Sequence, residues 1–278
     1  MANRIFSSTL LWAIVGASLW YLRANGVVLL TVVVSVFTLR EFYRLMHGCG
    51  HAPFDKIGMT FGGIITLGPW LEAQSWFHWP AGLWLALATA VFSVRLLGER
   101  TPETRTDSLG STLFGLIYIA YMLSYFVRIA VPLPTDTITP NGRLLLCLWL
   151  IATSKFCDMG GYLTGMAIGR HRMSPLISPK KTWEGLVGGL LASMGIAALL
   201  AYLARGLLPP HLTPLFAALI AIPVALLGVV GDLVESVIKR RANIKDSGHV
   251  LPGQGGFFDM SDSLILVAPL GYFLFRLP

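Results

Sequence analysis

The chain has 278 residues, of which 55% are hydrophobic and 13% are charged, and its formal net charge is +7. About a quarter of the residues of a soluble domain are charged, so this composition excludes an ordinary water-soluble protein. Nothing in the sequence resembles a nucleic-acid-binding module. The positive charge therefore indicates an anionic membrane surface or an anionic substrate, and we expect no nucleic acid partner.

Apolar runs recur along the whole chain and are separated by short polar segments. A helix that crosses a membrane needs about 20 mostly apolar residues. The sequence therefore predicts an all-α, polytopic transmembrane helical bundle. We place about nine spans, at 7–22, 26–39, 57–71, 80–94, 109–131, 143–169, 185–204, 213–231 and 262–278. Because several of these runs are short, counts of eight and ten stay open.

Basic residues are distributed unevenly between the two sides of this bundle. With a cytoplasmic N-terminus and nine alternating helices, 15 of the 21 Lys and Arg residues lie on the cytoplasmic side and four on the other. This bias follows the positive-inside rule and predicts a cytoplasmic N-terminus. We expect one integral membrane unit, with N-terminal helices at 1–140 and C-terminal helices with cytoplasmic catalytic loops at 141–278. Glu41, in the N-terminal half, is interpreted as part of a solvated cytoplasmic turn.

Two polar motifs precede the last third of the chain. Lys155 and Asp158 are three residues apart within an apolar run, so they share a helical face, either as an internal ion pair or as part of a site. The loop 169–185 combines Lys180 and Lys181 with hydroxyl side chains and leads into a new helix. This pattern suits a polyphosphate-binding loop, and an ordinary basic loop that begins a helix is the alternative.

Acidic residues concentrate between positions 232 and 262, where five of the chain's 14 lie. Asp232, Glu235 or Ser236, and Lys239 recur at helical intervals, which places them on one face of a helix. Carboxylates beside a lysine suit a hard divalent cation and the phosphate that it neutralises. A glycine-rich loop follows, whose backbone can approach phosphate oxygens closely. Asp259 and Asp262 then open the last helix.

These motifs together resemble the signature of the phosphatidate cytidylyltransferases, also called CDP-diacylglycerol synthases. The match covers about residues 155–262. The residues that fit in order and spacing are Asp158 with Gly161-Tyr162, Ser178-Pro179-Lys180-Lys181-Thr182-Trp183-Glu184-Gly185, Ser236, Lys239-Arg240, Lys245-Asp246, Gly255-Gly256, Asp259 and Asp262. Gln254 stands where the signature has His, and Met260 where it has Arg. Every carboxylate expected to bind metal is present, so the departures bear on activity level and substrate preference.

The resemblance implies that CTP and phosphatidic acid react to give CDP-diacylglycerol and pyrophosphate in phospholipid biosynthesis. It also implies a homodimer in a bacterial inner membrane, with the active site on the cytoplasmic side. The cofactor it implies is Mg²⁺, and a second metal ion is left open. The roles are catalysis by Asp232, Asp259, Asp246 and Lys239; substrate binding by Ser178, Lys180, Lys181, Thr182, Ser236, Arg240, Lys245, Gly255 and Gly256; and metal binding by Asp232, Asp259, Asp262, Glu235 and Asp158.

Three alternatives remain at this point. A related CTP-dependent enzyme would act on another lipid phosphate, and a paralog with weakened activity would have a regulatory role. A membrane transporter is the third, since intramembrane charges often mark ion pathways. A transporter predicts polar residues spread along a pathway, whereas the charged residues of this chain gather at one predicted face.

Overall fold

The computed structural model describes residues 16, 18, 21–74, 80–97, 105–132, 138–244, 247–248 and 255–277. These residues form a chain of α-helices interrupted by one π-helical segment and one β-hairpin. In order, the elements are α1 (Ala24–Gly48), α2 (Asp55–Ala73), α3 (Ala81–Leu97), α4 (Arg105–Gly115), the π-helical segment (Leu116–Tyr121), α5 (Met122–Ala130), α6 (Pro140–Ile168), β1 (Arg172–Ser174), β2 (Ser178–Thr182), α7 (Trp183–Leu203), α8 (Pro214–Arg241) and α9 (Phe257–Leu274).

Within the described residues, six helical segments are long and apolar enough to cross a membrane. They are Ala24–Gly48, Thr106–Ala130, Pro140–Ile168, Trp183–Leu203, Pro214–Arg241 and Phe257–Leu274. A backbone in lipid must satisfy its hydrogen bonds internally, which a helix does. The prediction of an all-α, polytopic integral membrane protein is therefore confirmed.

The predicted count of nine spans is not confirmed. Helix α2 covers the predicted span 57–71, but charged residues at its two ends, Asp55, Lys56 and Glu72, shorten its apolar stretch. Helix α3 covers the predicted span 80–94 and is a shorter apolar helix. The predicted span 7–22 lies almost entirely outside the described residues.

The chain divides into two compact units. The first unit comprises Met1–Leu133 and Ile238–Ser261, and the second comprises Pro134–Val237 and Asp262–Pro278. Helices α8 and α9 therefore each supply residues to both units. The predicted division of the membrane unit near residue 140 stays a prediction.

In the first unit, hydroxyl groups of α1 pair with hydroxyl groups of other helices. Ser35 Oγ lies 2.8 Å from Thr66 Oγ1 of α2, and Thr38 Oγ1 lies 3.0 Å from Ser261 Oγ in α9. All four side chains are fully or almost fully buried. Hydrogen bonds between small polar side chains join apolar helices without exposing polar groups to lipid.

Aromatic side chains join the same helix to the beginning of α9. The ring of Phe37 stacks on Phe257 with centroids 5.0 Å apart, and Phe42 meets Phe258 edge to face at 6.2 Å. Such pairs stabilise a contact by about 0.5–1.5 kcal/mol beyond the area that they bury. Helix α1 is thus fixed against the first turn of α9 by packing as well as by hydrogen bonds.

In the second unit, α6 and α7 approach each other closely through glycines. A Cβ on Gly189 of α7 would lie 2.6 Å from the backbone oxygen of Cys157, and a Cβ on Gly160 of α6 would lie 2.5 Å from Cβ of Ala192. The neighbour of Gly189 is backbone and cannot rotate away. Small residues are therefore required at these two points of contact between the helices.

We expect Gly189→Ala to destabilise the second unit by about 1–3 kcal/mol, because the added methyl group forces the two backbones apart. Gly195→Ala is the matched control, since a Cβ at Gly195 has no heavy atom within 4 Å. Thermal unfolding in detergent should show a lower midpoint for Gly189→Ala and an unchanged or higher midpoint for Gly195→Ala. Equal midpoints for both variants would contradict the close packing.

The predicted basic loop 169–185 contains an antiparallel hairpin. Strands β1 and β2 pair through Arg172 with Thr182 and Ser174 with Ser178. Glu184, in the first turn of α7, accepts hydrogen bonds from the backbone N–H groups of Arg170 and His171 at 3.1 and 3.2 Å. The backbone of the hairpin is therefore joined to α7 at both of its ends.

Candidate active site

Three carboxylates converge in the second unit. Asp232 and Glu235 project from α8, and Asp262 projects from α9, with one oxygen from each lying within 4.8 Å of the others. Glu235 is 1% exposed and Asp262 is 6% exposed. Three acidic groups so close together repel one another when ionised, and a hard divalent cation bound by oxygen atoms relieves that repulsion.

The close approach of α8 and α9 at this point depends on Gly231. A Cβ on Gly231 would collide with the backbone oxygen of Asp262. Since Gly231 directly precedes Asp232, the same short stretch of sequence supplies both the helix contact and the first carboxylate. The predicted alignment of Asp232 and Glu235 on one helix face is confirmed by their convergence.

Two lysines lie at the edge of this carboxylate cluster. Lys181 of β2 places Nζ 2.6 Å from Asp232 Oδ2. Lys155 of α6 donates to Ser263 Oγ at 3.0 Å, and its Nζ lies 3.8 Å from Asp158 Oδ2 and 3.9 Å from Asp262 Oδ1. The predicted pairing of Lys155 with Asp158 is confirmed, and the pair lies beside Asp262. The cluster therefore combines anionic oxygens with cations suited to phosphate.

Asp259 belongs to the first unit and is held by four hydrogen-bond donors. Lys239 Nζ donates to Oδ1 at 2.6 Å. On Oδ2, the donors are Ser247 N at 3.0 Å, Ser247 Oγ at 2.7 Å and Gly256 N at 2.7 Å. The side chains of Lys239 and Asp259 are 14% and 13% exposed, so this is a largely buried ion pair. Asp259 thus fixes the end of the glycine-rich loop to α8.

Gly255 leaves room for the Asp259 carboxylate and its hydrogen bonds. Its φ of +88° is in the left-handed region, and a Cβ there would lie 2.5 Å from Asp259 Oδ2. Any other residue would be strained by both the backbone conformation and the contact. The sequence predicts substrate binding by Gly255 and Gly256, whereas in the described structure both glycines make room for carboxylates of the chain itself.

The other residues with predicted roles lie on α8, in the hairpin and in the glycine-rich segment. Ser236 Oγ donates to Asp232 Oδ1 at 3.4 Å, and Thr182 Oγ1 accepts the backbone N–H of Gly185, so Thr182 caps α7. Lys180 and Arg240 are exposed, and Ser178 is partly buried in β2. Lys245, Asp246 and Gln254 lie outside the described residues. The catalytic, substrate-binding and metal-binding roles of all these residues stay predictions.

The prediction that Glu41 lies in a solvated turn is wrong. Helix α1 continues to Gly48, nine residues beyond the predicted end of that span, so Glu41 lies within a helix and not in a turn. It is 7% exposed and contacts the loop that carries Ser247. The signal in the sequence is local: Glu41 is flanked by Leu39, Phe42 and Tyr43, all fully buried, and an acid among core residues requires a partner.

Comparison with known proteins identifies the family. The model of the cytidylyltransferase family matches residues 2–277. The phosphatidate cytidylyltransferase of Synechocystis sp. is 30% identical over 273 residues, covering 91% of this chain and 88% of that protein. The uncharacterized protein YnbB of Escherichia coli is 37% identical over 200 residues, covering 71% of this chain and 62% of that protein. The phosphatidate cytidylyltransferase of Thermotoga maritima is 33% identical over 195 residues, covering 69% of this chain and 68% of that protein. With nearly its whole length matched, this chain belongs to the cytidylyltransferase family.

Proposed function

We propose that this protein transfers the cytidylyl group of CTP to phosphatidic acid, giving CDP-diacylglycerol and pyrophosphate in phospholipid biosynthesis. The observation that carries the proposal is the convergence of Asp232, Glu235 and Asp262 next to Lys181 of the basic hairpin. A member of a cytidylyltransferase family needs a site for a metal-bound triphosphate, and this arrangement of oxygens and cations suits one. The names of the Synechocystis and Thermotoga relatives support phosphatidate as the acceptor.

The carboxylate cluster fits a magnesium ion. Its three side chains offer only oxygen ligands, they converge from two helices, and two of the three are buried. Mg²⁺ prefers carboxylates combined with substrate phosphates, and when bound it would neutralise charge on the triphosphate. Asp158, whose Oδ2 lies 3.8 Å from Lys155 Nζ, is proposed to orient that lysine towards the cluster. The assignment of Asp259 as a direct metal ligand stays a prediction, since its partners include a lysine, a serine hydroxyl and two backbone N–H groups.

The basic side chains would bind the anionic groups of the substrates. Lys181 and the exposed Lys180 follow one another on β2, where they can hold a triphosphate or a lipid phosphate. A phosphate oxygen of phosphatidic acid forms the new bond to the α-phosphorus of CTP, and the bond to the bridging oxygen breaks. The electron pair of that bond leaves with pyrophosphate. Since a phosphate monoester is already anionic near neutral pH, the protein needs no strong general base.

The site must be accessible both from water and from the lipid bilayer, because its two substrates come from these two phases. CTP is soluble, whereas the acyl chains of phosphatidic acid remain in lipid. We place the site on the cytoplasmic side of a bacterial inner membrane, because the basic residues of the sequence gather on the side predicted to be cytoplasmic. A homodimer stays a prediction.

The test is a reconstitution with purified protein in detergent. Protein, labelled CTP, phosphatidic acid and Mg²⁺ are incubated together, and a labelled CDP-lipid is expected that disappears when EDTA removes the divalent cation. A parallel reaction replaces phosphatidic acid with an isoprenoid phosphate. Product from the isoprenoid phosphate alone would assign another lipid substrate, and no CDP-lipid from either acceptor would refute the proposed activity.

A further inference from the structure

Glu41 is a buried acid in the first unit, far along the sequence from the predicted catalytic residues. It lies near the C-terminal end of α1 and is 7% exposed. An ionised carboxylate is costly to bury unless hydrogen-bond donors compensate for the lost water. The surroundings of Glu41 supply such donors, and the two described ones come from the segment that precedes or begins α9.

One of these donors belongs to the first turn of α9. The backbone N–H of Phe258 donates to Glu41 Oε2 at 2.9 Å. The first N–H groups of a helix have no acceptor within the helix, and the positive end of the helix dipole lies there. Glu41 therefore caps α9 from another helix, one residue before Asp259.

The second donor is the hydroxyl of Ser247, which connects two carboxylates. Ser247 Oγ lies 2.9 Å from Glu41 Oε2 and 2.7 Å from Asp259 Oδ2. A serine hydroxyl has one hydrogen, so it can donate to only one of these oxygens at a time. Its position therefore depends on both acids. Arg44, one helical turn after Glu41, also donates to the backbone oxygen of Ser247, so α1 holds this fully buried serine at two points.

Two glycines make the approach possible. A Cβ on Gly256 would collide with Glu41 Oε2 and Ser247 Oγ, and a Cβ on Gly248 would collide with Glu41 Oε1. Gly248 and Gly256 thus both lie directly against the Glu41 carboxylate. The close contact with Glu41 explains why both positions are glycine, and no contact with a substrate is needed to explain it.

We propose that Glu41 is a positioning residue that fixes the orientation of Asp259 through Ser247 and the first turn of α9. The inference rests on the proposed function in one respect, that Asp259 takes part in cytidylyl transfer. Glu41 itself touches neither substrate nor metal in this scheme. It keeps the Ser247 hydroxyl and the Phe258 N–H in place, and these in turn keep Asp259 Oδ2 and Oδ1 in fixed directions, with Oδ1 towards Lys239.

The experiment compares Glu41→Gln and Glu41→Asp with Glu72→Gln as the matched control. Glu72 belongs to the same unit and forms an ion pair with Arg128 at 3.7 Å. Loss of a residue that orients a site residue lowers activity by about 10- to 100-fold. We expect that loss in kcat for Glu41→Gln, with KM for CTP within about threefold of wild type, because an acid that orients a catalytic group acts on the transition state. Glu41→Asp should recover part of the rate, and Glu72→Gln should match wild type.

A double-mutant cycle separates positioning from general destabilisation. If Glu41 acts through Ser247, the kcat losses of Glu41→Gln and Ser247→Ala are not additive, and the double variant resembles the worse single one. Additive losses, or wild-type kcat in Glu41→Gln, would overturn the proposal. If the Glu41 variants do not fold, Ser247→Ala must still lower kcat, and wild-type kcat in that variant would overturn it as well.

Amide hydrogen exchange gives a readout that does not depend on activity. Glu41→Gln should speed exchange in residues 255–260 and leave residues 214–230 of α8 unchanged, and Glu72→Gln should change neither. Wild-type protein that makes no CDP-lipid would refute the proposed function, and the exchange result would still decide whether Glu41 orders Asp259. Unchanged exchange at 255–260 would refute the role of Glu41 whatever the activity.

Discussion

Asp232→Asn is expected to lower kcat for CDP-lipid formation by at least about 10³-fold, the scale on which lost charge stabilisation slows phosphoryl transfer. The asparagine keeps the size of the side chain but removes one of the three negative charges that converge at the cluster. It also leaves Lys181 Nζ, now 2.6 Å from a carboxylate oxygen, next to a neutral amide. Both changes weaken the binding of a divalent cation and the alignment of the phosphate groups.

The fold should survive this substitution. Removal of one carboxylate charge reduces repulsion with Glu235 and Asp262. The side chain of Asp232 is 29% exposed, and the asparagine has nearly the same volume, so no cavity is created. The midpoint of thermal unfolding in detergent is therefore expected within a few degrees of wild type. Asp55→Asn, at a half-exposed aspartate near His47, is the control and should keep full activity. Activity of Asp232→Asn within about threefold of wild type would defeat the metal assignment.

The helical spacing of polar residues in the sequence predicted those site residues that belong to a single helix. Asp232, Glu235 and Ser236 follow the period of α8, so their common face could be read without knowledge of the tertiary structure. Asp262 could not be placed by the same argument, since its approach to α8 depends on the contact made at Gly231. The family resemblance supplied that missing connection, because it implies metal binding by both Asp232 and Asp262.

The contacts of Glu41 follow from pairing over a long sequence separation. Glu41 and Ser247 are 206 positions apart, and Glu41 and Phe258 are 217 positions apart. Hydrophobic periodicity and short motifs reflect only local structure, so they cannot predict a contact between residues this far apart in the sequence.

The hairpin β1–β2 was not predicted because its two strands contain only three and five residues and lack alternating apolar positions.

The length of α1 illustrates a different limit of sequence reasoning. The apolar run ends near Arg40, so the predicted span ends there, yet the helix continues to Gly48. Charged residues end a lipid-facing stretch without ending a helix, since Arg, Glu and Leu all have good helix propensity. The extra turns bring Glu41 and Arg44 to Ser247. A boundary set by hydropathy alone therefore removed from the predicted helix the two residues that contact the loop.

Asp259→Asn should lower both activity and stability, and in this it differs from Asp232→Asn. The carboxylate of Asp259 accepts from Lys239 on one oxygen and from Ser247 and Gly256 on the other. An asparagine has one acceptor oxygen, so its NH₂ group must face either the lysine or the loop donors. The lost charge-assisted bonds cost about 3 kcal/mol, which should lower the midpoint of thermal unfolding by several degrees.

The rate of the Asp259→Asn variant is expected to fall by at least about 10²-fold, as for the loss of a group that orders a charged site. Asp107→Asn is a suitable control, because the side chain of Asp107 is 66% exposed and only approaches His51 at 3.9 Å. Lys239→Met should reproduce the loss of stability, since it leaves Asp259 Oδ1 without its lysine. If Asp259→Asn lost activity but kept the wild-type midpoint, the carboxylate would not order the loop, and its effect would have to arise from direct contact with metal or substrate.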